Sequence, residues 1–138
     1  MYHVLEHIVS PLHTLGELRR KLKANGRIIV EVPHARDFLI SHLGLNSFKD
    51  FTFWSEHLLL HTRITLAAFL NAAGFKRIVV KVIQRYPLAN HLYWLSNGMS
   101  GGHLKWAELR TADLDEAYES MLASLDLTDT LTAYAEAT

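Results

Sequence analysis

Two stretches of this chain repeat one order: apolar residues at helical spacing, then a glycine, then a short β-branched run. Asn25-Gly26 precedes Arg27-Ile28-Ile29-Val30-Glu31-Val32, and Ala73-Gly74 precedes Phe75-Lys76-Arg77-Ile78-Val79-Val80. A glycine that ends a helix by turning left-handed, with a strand directly behind it, is the alternation of α/β folds, whose strand crossovers are right-handed. The first helix is expected to start at Ser10-Pro11, a hydroxyl cap followed by a residue whose fixed φ suits the first turn. Leu12, Leu15, Leu18 and Leu22 recur at three- and four-residue spacing, and Arg19, Arg20, Lys21 and Lys23 gather where the helix dipole favours cations. The nearly continuous apolar character of residues 27–32 predicts a strand covered on both faces and ended by Pro33, as in a parallel sheet. The second helix spans Thr65 to Ala73 with Leu66, Phe69, Leu70 and Ala73 on one side, and the second strand runs from Phe75 to Ile83.

Elsewhere the pattern is uneven. From His34 to Arg63 periodicity weakens around Phe38-Leu39-Ile40 and Phe51 to Trp54, and a connection of this length often serves as a lid. Asn90 to Leu95 reads as a short helix followed by a loop through Gly98, Gly101 and Gly102. Asp113 with Glu116 suggests a capping box for a third helix, with Leu114, Ala117, Tyr118, Met121, Leu122 and Leu125 as its apolar stripe. Asp129 to Tyr134 alternates polar and apolar residues and reads as a last strand at one side of the sheet.

At 138 residues and 49% hydrophobic content, one compact core is the expectation. Fourteen basic residues balance fourteen acidic ones, so no global field draws the chain to nucleic acid or anionic lipid. The lack of cysteine excludes disulfides, thiolate zinc sites and a cysteine nucleophile. No apolar run reaches the roughly 18 residues of a membrane span, and Glu6 and His7 stand where a signal peptide needs apolar residues. The expectation is a cytoplasmic, soluble protein without a membrane partner.

His3-Val4-Leu5-Glu6-His7-Ile8-Val9-Ser10-Pro11 resembles the segment after the fourth strand of class I S-adenosylmethionine-dependent methyltransferases. Leu22 to Pro33 is similar to the helix end, glycine turn and fifth strand of that family. Phe53-Trp54-Ser55-Glu56-His57-Leu58 and Leu70-Asn71-Ala72-Ala73-Gly74-Phe75 resemble the features that follow. The resemblance implies the C-terminal portion of a Rossmann-like sheet, with strands equivalent to the fifth, the sixth and an antiparallel seventh inserted between them. It implies S-adenosylmethionine as cofactor, with His3, Val4 and Leu5 on the cofactor side, and a small-molecule methyl acceptor. The family's glycine-rich loop has no counterpart, because none of the seven glycines forms Gly-x-Gly-x-x-Gly between a strand and a helix. Residues 1–138 are therefore expected to be one incomplete methyltransferase domain, its C-terminal half, starting at an internal methionine and inactive alone. Loss of the fourth strand would bare an edge of the Val30 strand, so a self-associating, non-catalytic interaction module is the alternative.

Ligands of open α/β sheets sit beyond the carboxyl ends of parallel strands, which points to Pro33, His34, Arg85 and Tyr86. Methyl transfer asks mainly for positioning and, where needed, removal of a proton from the acceptor. His7 and His34 are the candidate catalytic residues, and Trp54, Glu56, His57, Arg85 and Tyr86 the candidate substrate-binding residues. No metal is assigned. His3, Glu6 and His7 would share a helical face, but imidazole suits magnesium poorly. His57 and His61 stand four apart, yet the acid Glu56 precedes the pair, opposite to the zincin order, so polar contacts at a helix start are expected instead. Gly98-Met99-Ser100-Gly101-Gly102 satisfies the spacing of a nucleophile elbow, but no strand precedes it and no histidine follows the later acids, so it reads as a glycine turn.

Overall fold

The computed structural model describes residues 1–54 and 56–137. They form two compact units, one of Met1–His34, His57–Lys81 and Leu131–Thr138, the other of Ala35–Glu56 and Val82–Thr130.

In the first unit, helix α1 (Pro11–Lys21) buries Leu15 completely. Ser10 precedes it without the expected side-chain cap; its carbonyl instead accepts from the Thr14 backbone N–H at 3.1 Å and the Thr14 hydroxyl at 3.3 Å. Leu22 is already extended, so the helix stops before Asn25-Gly26. Asn25 makes the left-handed turn at φ 60°, and Gly26 is needed for proximity, since a Cβ there would lie 2.8 Å from the Lys23 carbonyl oxygen.

Strand β1 (Arg27–Pro33) alternates rather than burying both faces: Ile28, Val30 and Val32 are buried while Ile29 stays 36% exposed. The apolar run thus overstated its burial. Helix α3 (Arg63–Ala72) starts with a reciprocal cap, in which Thr62 Oγ1 accepts from the Thr65 N–H at 3.2 Å and Thr65 Oγ1 accepts from the Thr62 N–H at 2.8 Å. Its Leu66 and Leu70 are buried, and Gly74, at φ 92°, turns the chain into β2 (Phe75–Ile83), which matches the expected span.

Strand β3 (Thr130–Ala137) does not sit at the side of the sheet, as its alternation suggested, but in the middle, in the order β1-β3-β2. It is antiparallel to β1: the Asn25 N–H donates to the Ala137 carbonyl at 2.7 Å, and the Ala137 N–H to the Gly26 carbonyl at 2.8 Å. Glu136 receives both Arg27 and Arg77, at 3.2 and 2.8 Å, tying the starts of the outer strands to the end of the central one. On the other edge of β1, residues 1–3 run parallel, with the His3 N–H on the Glu31 carbonyl and the Glu31 N–H on the Met1 carbonyl, each at 2.9 Å.

In the second unit the aperiodic stretch holds two helical pieces that the sequence pattern did not announce. Asp37 accepts the Leu39 N–H at 2.7 Å and starts a single wide turn (Phe38–His42), which is followed by α2 (Asn46–Trp54). Helix α4 (Leu88–Asn97) extends the expected short helix at both ends and closes at Gly98, φ 64°. Gly102 opens a further helical turn, α5 (Gly102–Lys105), against α4; a Cβ there would collide with the Tyr93 Cβ. Helix α6 (Ala112–Ser124) is capped by Thr111, which accepts the Leu114 N–H at 3.2 Å, rather than by Asp113 and Glu116. Its buried stripe is narrower than expected: Tyr118 and Leu122 pack with Leu127, Phe38 and Leu88, whereas Leu114, Met121 and Leu125 are largely exposed.

Candidate functional site

Residues 1–3 lie along β1 and then turn sharply. His3 adopts φ 49°, which side chains other than glycine seldom take, and one tight helical turn (Leu5–His7) follows. Leu5 anchors this turn at 1% exposure, Glu6 is entirely buried, and the His7 side chain stays 37% exposed. The Glu6 carbonyl accepts the Leu58 N–H at 2.8 Å, which brings the segment carrying His57 alongside. The His7 and His57 rings then lie 4.8 Å apart, tilted by 50°.

Around the Glu6 carboxylate, His3 Nδ1 stands at 3.5 Å and His7 Nε2 at 3.9 Å. His3 Nε2 lies 3.1 Å from Glu31, whose other oxygen accepts the Thr132 hydroxyl at 3.3 Å. Neither oxygen of Glu6 accepts a hydrogen bond among the described residues. His34, placed on the catalytic side by sequence, is fully buried and bridges in parallel with His61. His61 is also sealed, with Thr65 Oγ1 at 3.5 Å and the Phe69 ring edge-on at 5.0 Å, and burial pushes its imidazole below its ordinary pKa. The expectation of helix-start contacts therefore suits His61, while His57 joins Glu6 and His7 instead.

The second unit positions Arg85 and Tyr86 by a different device. Both backbone N–H groups donate to the Asp129 carboxylate at 3.0 Å. Gln84 locks the turn from its other side: its amide donates to the Tyr86 carbonyl at 2.7 Å and accepts the Asp129 N–H at 3.1 Å. Arg85 and Tyr86, together with Gln84, Pro87, Arg110, Asp115, Glu116 and Glu119, line a cleft of about 210 Å³. Burial raises the pKa of Asp129, against which its N–H and hydroxyl donors pull downward. Burial also raises Asp37, to about 7, with the nearby Asp129 charge adding to the shift. His91 Nδ1 and the Tyr118 hydroxyl share a 2.6 Å hydrogen bond; burial lowers His91 to about 4 and raises Tyr118, so both are neutral.

Of the other expected site residues, Trp54 is 88% exposed and Glu56 takes a left-handed φ of 69°, while Ser55 between them lies outside the described residues. Arg85 and Tyr86, expected just beyond a strand end, lie in the lining of this cleft. Sequence reasoning did not identify Glu6 as the centre of the imidazole group, nor Asp129 and Gln84 as the groups that hold the cleft's turn. No spacing encodes those long-range contacts.

A central antiparallel strand, later in sequence than the two outer strands that each follow a helix, is the order that the family resemblance implied. A family described as methyltransferase domain matches residues 1–80, and the chain belongs to it. No curated protein sequence matches the chain. Among solved structures, a SAM-dependent methyltransferase from Archaeoglobus fulgidus has a TM-score of 0.58 at 16% identity, covering 99% of this chain and 57% of its own. The Haemonchus contortus phosphoethanolamine N-methyltransferase 2, in complex with phosphomonomethylethanolamine and S-adenosylhomocysteine, has a TM-score of 0.50 at 12% identity, covering 98% of this chain and 32% of its own. The chain thus spans between a third and somewhat over half of these proteins.

The resemblance implies S-adenosylmethionine as cofactor, and the similar Archaeoglobus fulgidus protein is a SAM-dependent methyltransferase. The residues present do not compose the cofactor's cradle. Of His3, Val4 and Leu5, the first is clasped between Glu6 and Glu31, the last is buried, and Val4 alone offers an open apolar side chain at 44% exposure.

Proposed function

We propose that this chain is the acceptor-side portion of a cytoplasmic S-adenosylmethionine-dependent methyltransferase that acts on a small molecule. The observation that carries the reading is the strand order β1-β3-β2 with residues 1–3 paired in parallel beyond β1, the arrangement that closes such a sheet. In-line methyl transfer needs two partners held in register and a base for the acceptor's proton. His7, partly open to solvent, serves as that base, and His34, buried just after β1, is the second catalytic candidate. Arg85 and Tyr86 bind the acceptor at the cleft they line. The family resemblance adds Trp54, Glu56 and His57 as acceptor-binding residues.

The chain alone holds too little of the cofactor's surface to bind it. Titrating S-adenosylhomocysteine into the purified chain is expected to give no heat, and submicromolar binding would overturn the claim that the cofactor's main cradle lies outside these residues.

A further inference from the structure

Glu6 presents a physical problem that methyl transfer does not solve. Its side chain is fully buried, and among the described residues neither carboxylate oxygen accepts a hydrogen bond. The contacts to His3 Nδ1 at 3.5 Å and His7 Nε2 at 3.9 Å are too long to serve as good ones. A carboxylate withdrawn from water without such partners is strongly disfavoured unless it takes up a proton or a cation accompanies it.

The surroundings supply the rest of a cation site. Glu6, His7 and His57 each direct one ligand atom into a space where all these atoms lie within 4.8 Å of one another. The backbone bond from Leu58 to the Glu6 carbonyl fixes His57 in that position from a distant part of the chain. Two imidazole nitrogens with one carboxylate oxygen form a borderline-soft set that favours zinc and its d-block neighbours over magnesium. Bonds of about 2.0–2.2 Å to a tetrahedral ion ask for donor separations of roughly 3.3 Å, so modest side-chain rotation closes the site. His7 and His57 are partly exposed, which leaves an entry path and room for a fourth, exchangeable ligand. His3 stands against the same Glu6 oxygen as His7 but is shared with Glu31, and it orients the carboxylate from outside the ligand set.

We propose that Glu6, His7 and His57 bind a divalent d-block cation. The site lies within the first unit and takes up His7 and His57, which the proposed function places on the acceptor side, so an ion there would withdraw the His7 imidazole as a base. Zinc binding is read without cofactor or acceptor, and its failure is therefore distinguishable from failure of the methyltransferase reading.

Zinc titrated into chelator-treated protein is expected to bind one ion per chain by calorimetry, while magnesium at the same concentrations gives no heat. Cobalt should produce the visible bands of a tetrahedral or five-coordinate site. Glu6→Gln and His57→Gln should each weaken zinc by about tenfold or more with unchanged far-ultraviolet circular dichroism, whereas substituting the exposed His13 should change nothing. Absence of zinc binding by the folded wild-type chain would overturn the proposal. So would zinc affinity that survives both Glu6→Gln and His57→Gln, because the ion would then sit on other histidines.

Discussion

Asp129 in the second unit and Glu6 in the first are acids drawn away from water, yet their surroundings differ. Asp129 gathers the N–H groups of Arg85 and Tyr86 and the hydroxyl of Thr130, so its charge is spent on shaping the turn at the cleft. Glu6 is more deeply buried and receives no hydrogen bond from any described residue. The contrast separates an acid that builds backbone from one whose requirements are left to a ligand. Asp37 falls between them, buried and capping one turn through the Leu39 N–H.

The largest effect is expected where the donors are most numerous. Asp129→Ala strands two backbone N–H groups and a hydroxyl and should cost about 3 kcal/mol in urea unfolding. A loss below about 0.5 kcal/mol would erase the distinction, since water would then be replacing the carboxylate at no cost.

Asp37 offers a pH test of intermediate size. Its folded pKa of about 7 lies above the ordinary 3.8, so between those values the folded chain holds a proton that the unfolded chain has released. The Asp37 contribution to stability should therefore be greatest below about pH 4, fall as pH rises toward 7, and level off above. Asp37→Asn keeps an acceptor for Leu39 and should flatten this slope; an unchanged slope would assign it to another group.

The smallest effect belongs to Glu6→Gln. Removing an unsatisfied charge while keeping its shape should leave stability of the metal-free chain within about 1 kcal/mol of wild type, or raise it. A loss as large as that of Asp129→Ala would show that Glu6 also is structural.

Much of the fold was legible because period and punctuation agreed. Leu66 and Leu70 at helical spacing, Gly74 with its left-handed φ, and the run from Phe75 to Ile83 fixed α3 and β2 almost to the residue. Residues 34–63 were not legible, because α2 presents no clean apolar stripe and relies on neighbours, such as Trp94 set edge-on against Phe48 at 5.0 Å. The place of β3 could be inferred only through the family likeness. Thr130 and Thr132 are polar letters that suggested a half-solvated strand, yet both are 3% exposed. At the candidate sites, Arg85 and Tyr86 followed from where a strand ends, whereas the meeting of His57 with Glu6 depends on a backbone bond that no local pattern announces.

The position of β3 also sets the timing of assembly. During synthesis the two outer strands emerge first and share no ladder with each other, and the segment that joins them comes last. The contact between Arg27 and Glu136 closes a separation of 109 residues, a long-range closure of the sort that slows folding. Until then the nascent polypeptide carries unpaired strand edges, the state in which wrong partners are captured.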